Sequence, residues 1–421
     1  MTTPIRRMAV FGTVASLTLA CGPISDSQNA TATVVETETI GDTTVVRTVS
    51  GSVWGGDATL VPEVSVGELD GPEEYLFGSV SSIAVDDDRN VYVLDRQARH
   101  VRVFDSEGTY VKTLGRDGEG PGEFKVPIGL AISNGRLLVR DPANGRVQLF
   151  GLDTGDTEEW KYLPSEYFMN TPLYTDEQGR IYVDITEEEQ RFIVMDSDGT
   201  QIDTISPPDP PADFDGDQYS MSAEVESGDR WISVGATVPF SPDWYWTVHP
   251  AGHFLSALST AYRINLEQDG GVLRIERNHT PVAVLDDERN RHEQGILNRM
   301  RRWDPGWNWD GPLIPDYKPP FRGLSAGSDG RIWVSLWTEA QQVANEDHDP
   351  GNPDSSPFTW VEPLRYDVFE ADGTYLGAVI PPEGFSLSAP PVFGRSFVWA
   401  VERGELDVQR VVRYRIALPG S

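Results

Sequence analysis

Few residues in this chain are spaced for chemistry. His249 and His253 are four apart, the interval at which a helix offers two imidazoles to one zinc ion, but Pro250-Ala251-Gly252 between them sets a turn. Asp213, Asp215 and Asp217 alternate as calcium-loop ligands do, yet the segment lacks the later glutamate of an EF-hand. The glycine run from Gly115 to Gly122 has neither the lysine nor the following helix of a phosphate cradle, and reads as a connector. Asp347-His348-Asp349 stands alone in a polar stretch. The 6 histidines are scattered, and no Ser-His-Asp or Cys-His set can be assembled from them. No catalytic residue, metal or cofactor is therefore expected.

Aromatic side chains are the stronger candidates for recognition. Trp303, Trp307 and Trp309, with Trp333 and Trp337 beyond them, form the densest group, around Pro305-Gly306-Trp307-Asn308-Trp309-Asp310-Gly311-Pro312. A loop of this kind can offer flat faces to sugars, peptides or other rings, because large rigid side chains give contact area at little entropic cost. The same rings can instead wedge a neighbouring element against the body of the protein. Position in loops singles out Phe124, Trp244, Trp307, Trp309 and Arg322 as ligand-contact candidates.

The elements that must position these residues are legible as a repeat. The segments IAVDDDRNVYVLDRQARHVRVFDSEGTYVKTLG and LAISNGRLLVRDPANGRVQLFGLDTGDTEEW each hold four apolar, β-branched runs parted by Asp, Asn and Gly clusters. That is the pattern of a four-stranded antiparallel meander. A meander of about forty residues cannot bury both its faces alone, so its repetition implies neighbours stacked into a continuous core. Aligning the second strand of each copy on Val91, Leu137, Ile181, Phe254, Ile332 and Val398 counts six copies, at intervals of 46, 44, 73, 78 and 66 residues. Reverse turns of one type, Asp105-Ser106-Glu107-Gly108, Asp196-Ser197-Asp198-Gly199 and Glu370-Ala371-Asp372-Gly373, lead into the fourth strand. The fold expected is all-β: a six-bladed β-propeller at about residues 60–418, with a terminal strand near Leu60 to Gly67 available to complete the last blade and remove the free edges.

The excess length of the later copies must lie in insertions. Pro207 to Asp217 reads as an exposed loop. Asp286 to Trp303 turns helical, with Ile296, Leu297, Met300 and Trp303 on one face and Asp286 placed to cap. A third insertion runs from Glu339 to Trp360. Near the amino terminus, Thr33 to Ile40 and Thr43 to Ser50 flank Gly41-Asp42 and predict a short hairpin.

Asp141-Pro142-Ala143-Asn144-Gly145-Arg146-Val147-Gln148-Leu149-Phe150, preceded by Gly115 to Phe124, resembles the NHL-type repeat of six-bladed propellers. The whole chain is similar to exported bacterial six-bladed propeller proteins, a family that implies a fold and a binding habit more than a reaction. Metal sites on propellers of the lactonase kind draw carboxylates or imidazoles from the first strands around the axis. Here Ile83-Ala84-Val85, Leu130-Ala131-Ile132, Leu173-Tyr174-Thr175 and Leu324-Ser325-Ala326 carry almost none.

Composition narrows the partners. With 66 acidic against 34 basic residues, a net charge of -32 repels phosphate backbones and anionic bilayers, which sets nucleic acid aside. Arg6 and Arg7 precede a twelve-residue apolar run, Met8 to Leu19, too short to cross a membrane and suited to a signal peptide over residues 1–21. Leu17-Thr18-Leu19-Ala20-Cys21 resembles the bacterial lipoprotein signal, which implies lipidation of Cys21 and a membrane held only through that anchor. An ordinary signal with an incidental cysteine is the alternative. Residues 22–59 then hold a polar tether and the hairpin. The function expected is an exported, monomeric binding or scaffold protein of the cell envelope, recognising a small molecule, glycan or protein through the axial mouth and the inserted loops. The alternatives are a propeller-class hydrolase or lyase, and a structural envelope subunit marked by a large exposed apolar patch.

Overall fold

The computed structural model describes residues 33–161, 172–185, 190–227, 230–345, 348, 350–351 and 356–420. The signal segment with Cys21, most of the tether, and Asp347 and Asp349 lie outside the described residues.

Six four-stranded antiparallel sheets follow one another around an axis. Blade 1 is Val80–Val85, Val91–Asp95, His100–Phe104 and Tyr110–Leu114. Blade 2 is Gly129–Ser133, Arg136–Asp141, Arg146–Gly151 and Thr157–Lys161, and blade 3 is Tyr174–Thr175, Ile181–Asp184, Phe192–Met195 and Gln201–Ile205. Blade 4 is Trp244–Val248, Phe254–Leu258, Arg263–Gln268 and Gly271–Arg277, and blade 5 is Phe321–Ala326, Ile332–Leu336, Tyr366–Phe369 and Tyr375–Ile380. All six second strands fall where the repeat spacing puts them.

Apolar residues on both faces of the inner strands explain the stacking. The second strand of blade 1, Val-Tyr-Val-Leu-Asp, is buried throughout, whereas the outer strand Tyr110–Leu114 is half-buried or exposed. Each blade therefore offers two apolar faces and needs two neighbours. Tyr92 and Leu94 pack on Leu137 and Phe150 of blade 2, Leu138 and Leu149 on Ile181 and Val183 of blade 3, and Tyr182 and Phe192 on Val248 and Phe254 of blade 4. Leu255 and Ile264 meet Phe321 and Ile332 of blade 5, and Trp333 and Val368 meet Val398 and Tyr414 of blade 6. Trp399 and Val401 of blade 6 then meet Val91 and Phe104 of blade 1, so the sixth interface closes the ring.

The closing strand comes from the amino-terminal side. After β1 (Val34–Ile40) and β2 (Thr43–Ser50), β3 (Ala58–Val66) pairs antiparallel with Gln409–Ala417 and becomes the outer strand of blade 6. Inside it lie Phe397–Arg403 and an interrupted innermost strand, Phe385–Ser386 and Val392–Phe393. The β1–β2 hairpin does not stand apart: β2 lies parallel to Gly271–Arg277 and extends blade 4 to six strands.

The glycine run Gly115 to Gly122 is the connector from blade 1 to blade 2, folded back so that Phe124 N–H reaches Arg116 O at 2.7 Å. Gly115 sits at φ +80, and a Cβ there would lie 2.0 Å from the Phe124 ring, so a side chain is excluded twice.

All three insertions emerge on one rim. Two lie between an outer strand and the next first strand, and the third between second and third strands of blade 5; in an antiparallel meander these ends share a side. The hairpin Ser220–Ser227/Arg230–Thr237, helix α1 (Asp286–Arg301) and the loop after it form a cap with its own core of Met221, Val238, Phe240, Ile296, Leu297, Met300, Trp307 and Ile314. The helix departs from the sequence reading in two places. Asp286 is its first helical residue rather than its cap, and Leu285 N–H is instead taken by the Glu288 carboxylate at 3.3 Å. Trp303 lies beyond the helix end and is exposed.

Candidate functional site

The first strands surround an axial cavity of about 690 Å³. Turn chemistry fixes its upper rim. At the end of the second strand of blade 1, the buried Asp95 carboxylate accepts the N–H groups of Gly78 (2.7 Å) and Ser79 (3.1 Å) on one side and of Gln97 (3.0 Å) and Ala98 (3.1 Å) on the other. One side chain thus locks both the chain entering the axis and the turn carrying Arg96. Asp141 repeats the device in blade 2, accepting from Lys125 N (3.0 Å), Val126 N (2.9 Å) and Asn144 Nδ2 (2.7 Å).

The cavity wall is built of backbone, small apolar residues and hydroxyls: Ser82, Thr175, Thr247, Ser325, Ser328 and Ser388 all face it. On the side of blades 3 and 4 the lining includes Tyr174 and Trp246, whose rings, 6.4 Å apart, both pack against Phe192 in the interface between these blades. Burial pushes the Tyr174 phenol up to about 12, with Thr247 opposing as a hydrogen-bond partner, so it serves as a neutral donor at physiological pH. Across the axis, at the seam of blades 6 and 1, stand Arg96, Arg403 and Gln409. Gln409 is nine-tenths buried and its Oε1 accepts from Val80 N–H at 2.7 Å. That bond fixes the orientation of the amide, and its Nε2 has no partner among the described residues. Arg96 is exposed and likewise unpaired among the described residues, while Arg403 donates through Nη1 to Asp407. Among the described residues, no Asp, Glu, His, Lys or Cys lines the cavity.

None of the five sequence candidates lines it. Phe124 is fully buried between blades 1 and 2, edge-on to Phe150 at 5.9 Å; the connector that made it look like a loop residue turns inward. Trp307 is core of the cap, its Nε1 donating to Ser222 O at 3.1 Å. Trp309, partly buried, packs on that core and donates to Gly311 O and Pro312 O. Trp244 is half-buried on the first strand of blade 4 and donates to Pro208 O at 2.9 Å. Arg322 lies over the Trp337 ring at 5.0 Å and pairs with Glu362 at 3.3 Å. The five-tryptophan group is split as well: Trp333 belongs to the interface of blades 5 and 6, stacked on Phe393 at 4.3 Å. His249 donates through Nε2 to Gly330 O (2.8 Å), and its backbone forms the turn with Gly252 and His253.

A second cluster seals the cap to the ring. Lys318 Nζ sits 2.6 Å from Glu288 of α1, 2.6 Å from Glu362 just after the third insertion and 3.0 Å from Thr338 O, beneath the Phe240 ring at 4.8 Å. Burial raises the Glu362 carboxyl despite the Lys318 ammonium beside it. Lys318 and Glu288 side chains have no solvent exposure, so this cluster holds elements together and cannot reach a substrate.

Arg96 and Arg403 occupy the same place in the repeat. Setting Val398 on Val91 puts Glu402-Arg403 on Asp95-Arg96, an acid followed by arginine at the end of the second strand in the two blades that meet at the ring closure.

A family described as 6-bladed beta-propeller matches residues 57–269. The chain belongs to this family. No curated protein matches it. Among solved structures, a candidate exported protein of Bacteroides fragilis is 12% identical over 86% of this chain and 95% of its own, with a TM-score of 0.44. A duf4221-family member of Bacteroides vulgatus is 11% identical over 86% and 98%, with a TM-score of 0.44. Virginiamycin B lyase of Staphylococcus aureus is 12% identical over 80% and 94%, with a TM-score of 0.39. At these identities none of them speaks to the ligand or chemistry of this chain. No described helix is long and apolar enough to cross a membrane.

Proposed function

We propose that this six-bladed propeller is an exported, monomeric binding protein that takes a small molecule into its axial cavity, with Cys21 as its lipid anchor to the cell envelope. The observation that carries the binding reading is the make-up of the wall: hydroxyls, backbone and two aromatic rings around about 690 Å³, with guanidinium groups as its only ionised side chains among the described residues. Volumes of roughly 300–1,000 Å³ are usual for small-molecule sites. General acid–base catalysis requires a group that titrates near neutrality within reach of the substrate, and a metal requires carboxylates or imidazoles. This wall supplies donors and acceptors for orientation instead.

Gly129 offers a direct test. It lines the cavity, and the nearest atom to a Cβ built there is Leu173 N at 3.7 Å, so a Cβ is accommodated without a clash. Gly129→Trp is expected to fold normally by circular dichroism and to lose stabilisation by small molecules that raise the melting temperature of the wild type. A ligand at 100 times its Kd stabilises by about 2.7 kcal/mol, a readily seen shift. Ligands that stabilise both proteins equally place the binding site elsewhere.

A further inference from the structure

Among the described residues, the exposed tryptophan, tyrosine and phenylalanine side chains are Trp231, Trp303, Tyr317 and Phe358, and every one lies in an insertion. Trp231 belongs to the first insertion, Trp303 and Tyr317 to the second and Phe358 to the third, so all sit on segments that leave the ring at one rim. Single exposed apolar residues are ordinary, but confinement of the exposed rings to one rim marks a contact surface. In the hairpin Ser220–Ser227/Arg230–Thr237, the cross-strand pairs Met221–Ala236 and Ala223–Val234 belong to the cap core or pack on it. The next pair on that face, Val225–Ile232, lies outside this core: Ile232 is 38% exposed, and Trp231 beside it is 69% exposed. The third insertion forms a second ribbon, Gln341–Ala344/Phe358–Val361, in which no residue is buried. A two-stranded ribbon with uncovered faces is marginal in water.

The point where the chain enters the folded body says what lies on that side. β1 starts at Val34, opposite Ser50 of β2, and β2 runs parallel to the outer strand of blade 4 with Thr48 beside Arg277. Arg277 ends that outer strand and the second insertion follows it, with Asn278 Nδ2 donating to Val49 O at 3.3 Å. The chain coming from Cys21 therefore joins the body at the rim that carries the insertions. Residues 22–34 span at most about 45 Å when fully extended. Turning the opposite rim to a bilayer would take the chain back along the length of β1, seven residues or about 23 Å, and use half of that reach. With Cys21 held in a bilayer, the insertion-bearing rim is the nearer one.

We propose that the insertion-bearing rim docks on the bilayer that holds Cys21, with Trp231 and Trp303 seated among zwitterionic headgroups. Tryptophan suits that layer because its ring is apolar along most of its outline and polar at one N–H. The anchor raises the local concentration of the rim at the lipid surface, so a shallow contact of a few side chains suffices. Charge selects the lipid. A chain of net charge -32 is repelled by an anionic surface, and of the three insertions the second, with 6 basic against 7 acidic residues over 278–320, comes closest to neutrality. This rests on the Cys21 anchor proposed above. It goes beyond that reading by giving the attached protein an orientation and a second contact with lipid.

The test couples the processed chain, which begins at Cys21, through its single thiol to a maleimide lipid in phosphatidylcholine vesicles, made with or without brominated acyl chains that quench nearby tryptophan. Trp231→Ser/Trp303→Ser removes two exposed rings that belong to no buried core, so the double variant keeps the fold. Brominated lipid is expected to quench the coupled wild type, the double variant to lose at least half of that quenching, and phosphatidylglycerol in the vesicles to weaken it. No quenching, quenching unchanged in the double variant, or quenching strengthened by phosphatidylglycerol overturns the docking inference. So does an uncoupled chain that sediments as a dimer and becomes a monomer in the double variant, which gives the rings to a second copy. The anchor is judged separately, in cells expressing the full chain: the wild type is expected in the membrane fraction and Cys21→Ser in the soluble one. A wild type found in the soluble fraction overturns the anchor, whereas the vesicle result does not depend on how a cell treats Cys21.

Discussion

Replacing Lys318 by methionine tests whether the cap is held to the ring by charge. The wild-type ammonium is shared by Glu288 and Glu362, each at 2.6 Å, and capped by Thr338 O at 3.0 Å, with no solvent exposure of the lysine or Glu288 side chains. Methionine keeps the stem and its packing under Phe240 but leaves two carboxylates facing each other, with Arg322 at 3.3 Å as the remaining partner of Glu362 alone. Breaking a buried pair by removing one partner costs about 3–5 kcal/mol. Arg365 and Asp57, paired at 2.8 Å but partly exposed, give the control: Arg365→Gln should cost less than about 1 kcal/mol. Urea unfolding followed by tryptophan fluorescence reads both, because Trp307, Trp309 and Trp337 lie in or against the cap core. The pH dependence has a definite sign. A carboxyl whose folded pKa is raised contributes stability that is complete below its unfolded pKa and is lost as pH rises through the folded one. Burial already raises Glu362, and without Lys318 it rises further, so Lys318→Met should recover stability as pH falls from 7 toward 5 more than the wild type does. Adding Glu288→Gln should restore part of the loss at pH 7. A cost under 1 kcal/mol, or a variant that weakens as pH falls, refutes this account of the seam.

Other perturbations separate the devices that set the ring. Asp141→Ala strands the Lys125 and Val126 N–H groups and is expected to cost about 2–4 kcal/mol by chemical denaturation, against under about 1 for an exposed carboxylate such as Asp372. Gly115→Ala combines φ +80 with a Cβ 2.0 Å from Phe124, whereas Gly122→Ala at φ +71 meets nothing within 4 Å; the first should cost at least about 1 kcal/mol more than the second, and equal costs would deny the clash. A chain starting at residue 57 keeps β3 and should remain monomeric and cooperative in size-exclusion and melting experiments. One starting at residue 68 leaves Gln409–Ala417 as a bare edge and should aggregate or melt broadly.

The fold was legible because the forces that build a blade are local and recur. Val91-Tyr92-Val93, Leu137-Leu138-Val139 and Ile181-Tyr182-Val183 are buried on both faces in the same way, and in blades 1 and 3 the Asp105 and Asp196 turns accept the same backbone N–H groups. The helix was legible from the spacing of Ile296, Leu297 and Met300. The docking of β2 on blade 4 was not, since parallel pairing across more than 200 residues leaves no trace in either strand alone. Two of the residues singled out for sitting in loops, Phe124 and Trp307, are buried for a physical reason. A connector can plug the interface of two blades, as Phe124 does, and an insertion can build a core of its own, as Trp307 does, so large rings are drawn inward by the area they bury.

The axial wall was hidden for a different reason, and the reason shows where to look. Each blade contributes a few positions of its first strand, and serine, threonine and small apolar residues there are indistinguishable from ordinary strand residues until the ring is closed. Arg96 and Arg403 lie 307 positions apart in the chain and come to line one cavity through the closure that β3 completes. Their shared signature, an acid followed by arginine at the end of the second strand, was present in the aligned copies. In blade 1 the acid, Asp95, holds backbone N–H groups, and in blade 6 Glu402 accepts from Tyr414 at 2.8 Å, so each acid has a structural role of its own beside the arginine that follows it. A repeat position that carries a charge in two adjacent blades, while Pro142 occupies the aligned place in blade 2, is not required by the blade fold. Departures of that kind, read in ring order rather than chain order, are where a propeller sequence records its ligand.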